Sequence, residues 1–480
     1  APGLRVYLCV SLAQGLTRPL TPIGISAFRV IGSRASELAF GVPVPDPLAG
    51  PPAFTSAAGR VFVDATPALR SRVGRRLVLR ALEVMEARSA VVLRALSATP
   101  ELSAGGPASV PGFVARMART LLRFRVPLVL GRALLSPAAG RRYVDRIGRG
   151  VRARQPLPPG ASGPERREHA VRLLGEVFAV IPTVAPVAGA GFAALAAARA
   201  LAGPALDADA LHEVLRSLPH NCTTEMDLRL WAVAVRVRAD PASAAALRET
   251  PPPELAAAWR RRELPALLTA ELDAFLAAYG HRAVAEIDLG MPRWSDDPTH
   301  LFGMLANYLR VGPGEGPAER FAAGARDAER SVARVLARVR ERSRVRAGLL
   351  GLALDRTRRL VGLREEHKDL LIRMLALARS ELGTVGHELA AHGLLDDPAD
   401  VFFLELSEIV TAQDDGADHR GRVAARREEY RRELGRRHVP RILLSDGTDP
   451  EATLGTDPEA TPGTEPQVTA GAGPVSYTHL

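Results

Sequence analysis

The chain has 480 residues, 47% of them hydrophobic, and a formal net charge of +10. At about 150 residues per domain there is room for two or three packed units. A basic balance permits contact with nucleic acid or an anionic membrane, but the arginines are interleaved with Asp and Glu, and no run alternates basic with aromatic residues. No nucleic-acid partner is therefore expected. Cys9 and Cys222 form neither a CxxC nor a metal-ligand spacing, which fits a reduced, cytoplasmic protein.

Taken in chain order, residue 1 is Ala, and "APGLRVYLCV" lacks the layout of a signal peptide. Residues 5–12 and 60–64 are β-prone. Between them Pro19 and Pro22 mark a turn, with an apolar helix after it. From about residue 75 the apolar spacing becomes helical. The predicted helices are 76–98, 111–135, 165–180, 205–217, 224–238, 253–261, 265–279, 298–309, 317–347, 350–390 (whole or broken) and 419–436. Breaks fall at 156–164 and 312–317. The expected class is mainly α, a multi-helix domain over 76–445 behind a small β-containing N-terminal segment, 1–75.

Residues 177–198 carry no charge, which is long enough to span a bilayer. Pro182, Pro186, Gly189 and Gly191 interrupt this stretch, and alanine rather than leucine fills it. A buried helical hairpin or the wall of an apolar pocket is expected, with Phe178 and Phe192 as its large aromatics, and no membrane span. Residues 447–470, "GTDPEATL GTDPEATP GTEPQVTA", repeat every eight residues and have almost nothing to bury. A disordered linker is expected over 446–474. The last residues, Val475–Leu480, translate one frame of a common sequencing-library adapter and are read as a scar. The native gene is expected to continue beyond both ends.

Three constellations carry ionisable groups. The first surrounds Lys368, the single lysine among 63 Lys plus Arg residues. On a helix, Arg364, Lys368, Leu371 and Leu375 share a face within about 60°. Two cations then stand at the edge of an apolar stripe, where Glu365 can pair with Lys368 and the excess cation suits a phosphate or another anion. A salt-bridged helix edge explains the same spacing. The second is the loop "YGHRAVAEIDLGMPRWSDDP", 279–298, which packs His281, Arg282, Glu286, Asp288, Arg293 and Trp294 between glycines and prolines. His281 with Glu286 suits acid–base work, but the Arg and acid residues equally suit clamping the loop. The third is 218–231, where Thr223 or Thr224 is placed to cap a helix; His220 and Asn221 are weak site candidates. There is no P-loop, no GxGxxG after a strand, no GxSxG and no metal-binding spacing such as HExxH.

The loop 279–298, followed by "GLREEHKDLLIRMLALARSELGTVGHELAAHGLLDDPADVFFLELSEI" (362–409), resembles the middle domain of the rifampicin phosphotransferase family, within the phosphoenolpyruvate-synthase-like dikinases. "SLAQGLTRPLTPIG" and "GRVFVDAT" resemble the start of the same domain. The resemblance covers roughly residues 5–446. It implies a helical domain that binds a small-molecule hydroxyl acceptor. It also implies an ATP-grasp-like domain, holding ATP and magnesium, and a histidine-bearing swivel domain, neither of them in this chain. ATP, acceptor and water would give AMP, phosphate and phosphorylated acceptor. Arg364, Glu365 and Lys368 match the family's R-E-x-x-K and would face the transferred phosphoryl group. Glu365 would orient Lys368 or take the hydroxyl proton. His281, Arg282, Glu286, Asp288, Arg293 and Trp294, with Phe178 and Phe192, are the candidates for acceptor binding. Two other readings stay open: a phosphoenolpyruvate-synthase-like enzyme with another acceptor, and a basic helical interaction protein with no chemistry.

Overall fold

The structure is a computed structural model and describes residues 3–85, 87–97, 102, 110–312 and 314–454. Residues 455–480, which hold most of the acidic repeat and Val475–Leu480, lie outside the described residues. The chain divides into two units. One comprises Ala1–Leu20, Pro52–Phe113 and Arg427–Leu480, the other Thr21–Pro51 and Val114–Arg426.

The first unit is built on an antiparallel sheet of β1 (Val6–Cys9), β2 (Phe54–Ala57), β3 (Arg60–Asp64) and β4 (Ile442–Leu444), in the order β2-β3-β1-β4. Ala58 and Gly59, both with positive φ, close the β2–β3 hairpin, as a two-residue turn demands. Leu8 pairs with Val63 on one side and Ile442 on the other. Val6, Phe62 and Ile442 are buried. The predicted strand 5–12 is shorter than expected: after Cys9 the chain turns into Val10–Ala13, and Ser11 Oγ accepts the Val61 N–H at 3.0 Å. Arg60 is buried against Glu433 at 2.8 Å. Beyond β4, Pro450–Leu454 form a short helix, so the first residues of the expected 446–474 linker are folded.

The second unit is mainly helical and is organised on one helix, Gly163–Ala202. Its 40 residues make it about 60 Å long at 1.5 Å per residue. Ser162 and Glu165 start it with a reciprocal capping box, and Pro164 fits the first turn. The expected hairpin at 177–198 does not form, because the helix runs straight through Pro182 and Pro186. Each proline removes one backbone hydrogen bond; the Thr183 hydroxyl donates to Ala179 O at 2.7 Å within the interrupted turn. Packing outweighs the local cost. Helices Arg344–Val361 and Glu366–Ala391 lie along this one, and its Val177, Val184, Val187 and Ala190 enter a core shared with Leu360, Leu370, Leu375 and Leu382. The helix is long and apolar enough to cross a membrane, and half of its most apolar window is buried inside the protein. A Cβ on Gly191 would come within 2.8 Å of Val361 N, so the small residues of this stretch serve helix-to-helix approach.

Elsewhere the unit refines the expected boundaries. The 111–135 helix is two, Val110–Arg123 and Val126–Leu135, divided where Arg125 takes a left-handed φ of 53°. The 317–347 and 350–390 pair becomes Pro317–Arg340, Arg344–Val361 and Glu366–Ala391. The last two are joined by the 3₁₀ turn Gly362–Glu365. Helices Pro137–Arg152 and Leu406–Asp415 were not expected at all. A second apolar core gathers Trp231, Leu272, Phe275, Trp294 and Phe302 around the helices on either side of the 280–298 loop.

Candidate functional site

The 280–298 loop leaves the C-terminus of helix Ala266–Tyr279 and is pinned at several points. Buried Asp288 accepts the Thr21 N–H at 2.9 Å, the Thr21 hydroxyl at 2.7 Å and the Gly290 N–H at 3.0 Å. Burial raises the pKa of this carboxyl. Arg293, 2% exposed, donates to Glu286 O at 2.7 Å. Burial and the neighbouring Arg379 push its pKa down to about 10. Arg379 reaches up from helix Glu366–Ala391 to the carbonyls of Leu289 and Gly290 and to Asp296, while its guanidinium lies 3.8 Å from the Phe402 ring centroid. Trp294 donates its backbone N–H to Arg282 O at 2.8 Å, and its ring packs on Phe275. Asp288, Arg293 and Trp294 therefore shape the loop.

The other half of the loop faces the start of helix Glu366–Ala391. Arg282 makes two hydrogen bonds to Glu286, at 2.6 and 3.1 Å. His281 Nε2 donates to Asp369 Oδ1 at 2.9 Å. Arg373, one turn on, donates to the other Asp369 oxygen at 2.9 Å and to Ala278 O at 2.8 Å. Arg282 Nη1 lies 3.6 Å from Asp369. Burial alone would raise the Asp369 pKa, but His281 and Arg373 outweigh it and hold the carboxyl well below the usual carboxylate range. Burial lowers the pKa of His281 despite the stabilising bond to Asp369.

Lys368 is not paired with Glu365, as the helix spacing suggests. Its Nζ lies 3.7 Å from Glu286 Oε1, and its side chain is 46% exposed. The Glu365 carboxylate instead accepts from Arg364 Nε at 3.1 Å. Arg364 and Glu365 stand on the 3₁₀ turn, whose tighter winding takes them out of the register of the following α-helix. This turn presses on residues 219–220: a Cβ on Gly362 would lie 2.0 Å from Pro219 O. Gly362→Ala is expected to destabilise the protein by about 1–3 kcal/mol through this overlap. Gly175→Ala, where the added carbon meets nothing within 4 Å, is expected to stabilise by up to about 1 kcal/mol. Urea unfolding of the two variants checks both signs.

The helix after the 218–221 turn is capped by Asn221, not by either threonine: Asn221 Oδ1 accepts the N–H groups of Thr223 and Thr224, both at 3.1 Å. His220 takes a positive φ and sits against Arg141, with Nε2 at 2.6 Å. Burial and Arg141 lower its pKa. The Cys222 thiol is pushed far up by burial and by Asp369 and Glu366, which makes it a poor nucleophile. Burial lifts Asp227 to about 6. Phe178 and Phe192 do not converge. They lie about 21 Å apart along the long helix, and Phe192 is 46% exposed.

Sequence reasoning missed Asp369, Arg373 and Arg379. The Asp369–Arg373 spacing of four within an apolar helix was a signal for the first two; Arg379 carried none. Among the described residues, no group of three or more His, Cys, Asp or Glu is placed to hold a metal ion.

Residues 183–365 match the family described as the rifampicin phosphotransferase fourth domain. Over 238 residues the chain is 29% identical to a rifampicin phosphotransferase of Streptomyces sviceus, which covers 48% of this chain and 27% of that protein. The Bacillus subtilis rifampicin phosphotransferase is 25% identical over the same shares of the two chains. An uncharacterised Mycobacterium tuberculosis protein is 30% identical over 36% of this chain and 17% of its own. The chain thus aligns with about a quarter of the length of its curated phosphotransferase relatives. The chain is thus similar to the rifampicin phosphotransferases over about half of its own length, and its 183–365 stretch matches the fourth-domain model.

Proposed function

We propose that this chain is the acceptor-binding part of an ATP-dependent phosphotransferase. The enzyme would move a phosphoryl group, through a phosphohistidine domain, to a hydroxyl acceptor of the rifampicin type, with release of AMP and phosphate. The observation that carries this reading is the position of Lys368. The single lysine stands exposed at the head of a buried helix, beside the Arg364–Glu365 turn that ends the matched stretch. Glu286 reaches it from the loop. An ammonium and a guanidinium at a solvent-open edge suit the oxygens of a transferring phosphoryl group, where positioning and charge do most of the work. ATP and magnesium belong, in this reading, to an ATP-grasp-like module, and no residue described here is assigned to either.

Calorimetric titration of the chain with an ansamycin tests the acceptor. Saturable binding that survives Lys368→Ala is expected. No binding to ansamycins would move the assignment to a phosphoenolpyruvate-synthase-like enzyme with another acceptor, a reading that the alanine-rich, aromatic-poor long helix favours. Strong, salt-sensitive RNA or DNA binding would favour an interaction protein instead.

A further inference from the structure

Two carboxylates were candidates to take the proton of an acceptor hydroxyl. Glu286 is held by two hydrogen bonds from Arg282 and by Lys368. Glu365 accepts from Arg364. Both carboxylates already accept guanidinium N–H groups, which leaves fewer of their lone pairs open to an incoming hydroxyl. His281 is arranged differently. Its Nε2 donates to Asp369, which Arg373 anchors from the far side. That bond fixes the neutral tautomer with the proton on Nε2 and the lone pair on Nδ1. Among the described residues, Nδ1 has no hydrogen-bond partner in the protein. The ring and Lys368 are the two ends of one chain of ion pairs, His281–Asp369–Arg282–Glu286–Lys368, with links of 2.9, 3.6, 2.6 and 3.7 Å.

From this arrangement we infer that His281 is the general base for the acceptor hydroxyl and that Asp369 is its positioning residue. The inference rests on the phosphotransfer reading above. In the step, His281 Nδ1 takes the hydroxyl proton as the acceptor oxygen bonds to phosphorus. The P–N bond of the phosphohistidine donor breaks, and its electron pair stays on the donor imidazole. Asp369 stabilises the imidazolium that forms, and the proton then passes from His281 through water to the donor imidazole, which leaves neutral. An orienting carboxylate behind a histidine is a recurrent way to make a base of an imidazole. Burial keeps the ring neutral and ready to accept a proton near pH 7, against Asp369, which favours the charged form. The charged groups facing it are Asp369 and Arg373 from the helix and Arg282 from its own loop.

Two measurements test this. Nitrogen-15 histidine spectra of the chain as it stands should show His281 near pH 7 as the neutral Nε2–H tautomer, with that preference lost in Asp369→Asn. An Nδ1–H tautomer or an imidazolium overturns the inference whatever the enzyme assay shows. In the full-length phosphotransferase, His281→Gln keeps a donor for Asp369 but has no base. Transfer should fall by about 10²–10⁴-fold, with melting temperature and acceptor affinity unchanged. Suppose His281→Gln transfers normally while Lys368→Ala does not. The inference then fails and the phosphotransferase reading stands. If both variants transfer normally, that reading fails as well.

Discussion

Replacing Asp369 with alanine is expected to cost about 3–5 kcal/mol of unfolding free energy, the largest stability effect of any single site residue. The side chain is 5% exposed and holds His281, Arg373 and, at longer range, Arg282. Removing it leaves two guanidiniums facing each other across a buried gap and frees the loop from the helix. Asp369→Asn, which keeps the shape and loses the charge, should fall between wild type and alanine. The pH dependence follows from the direction of the shifts. The folded pKa of Asp369 lies below its unfolded value of 3.8. Its contribution is therefore present above about pH 4 and is lost as pH falls through the folded value. His281, also depressed, adds to the decline: below its ordinary 6.5 the unfolded chain takes up a proton that the folded chain refuses. Urea midpoints at several pH values should fall steeply on the acid side for wild type and less steeply for Asp369→Ala. A loss under about 1 kcal/mol at neutral pH would show that the cluster does not hold the loop.

Lys368→Ala should leave the fold nearly untouched and cripple transfer. The side chain is 46% exposed, and among the described residues its one ion pair is long, at 3.7 Å, so its removal should change stability by no more than about 0.5 kcal/mol. If the ammonium steadies the phosphoryl oxygens as charge moves from donor to acceptor, the full-length enzyme should lose about 10²–10³-fold in kcat. Acceptor affinity should stay within about threefold. Lys368→Arg should rescue poorly, because a planar guanidinium does not reproduce a compact point charge. Single-turnover phosphoryl transfer, measured beside acceptor binding, separates these outcomes. Unchanged turnover in the alanine variant would remove Lys368 from the chemistry.

The parts of the fold that were legible in the sequence are those with local causes. Helices 253–261, 265–279 and 298–309 were placed to within a residue or so because a proline or threonine marks the start of each and no glycine or proline interrupts the apolar run of 265–279. The 60–64 strand was equally plain. The Pro137–Arg152 helix was missed although its apolar residues fall on one face and Ser136 and Pro137 mark its start, because its three glycines and many arginines resemble a loop in composition. β2 and β4 are too short to announce themselves, and β4 finds β1 only across more than 430 residues of chain.

By itself, the sequence determined that the protein is mainly helical, that the 280–298 segment is a polar loop, and that the one lysine stands on a helix. Each of these follows from neighbours a few residues apart, where spacing and side-chain type act directly. Only the tertiary structure decided which partners those groups take. His281 meets Asp369 across 88 residues, and Lys368 meets Glu286 rather than the nearer Glu365. The long helix continues through two prolines because helices packed along it outweigh two lost hydrogen bonds. A local pattern shows which groups can pair, but burial and packing between distant segments decide which of them do.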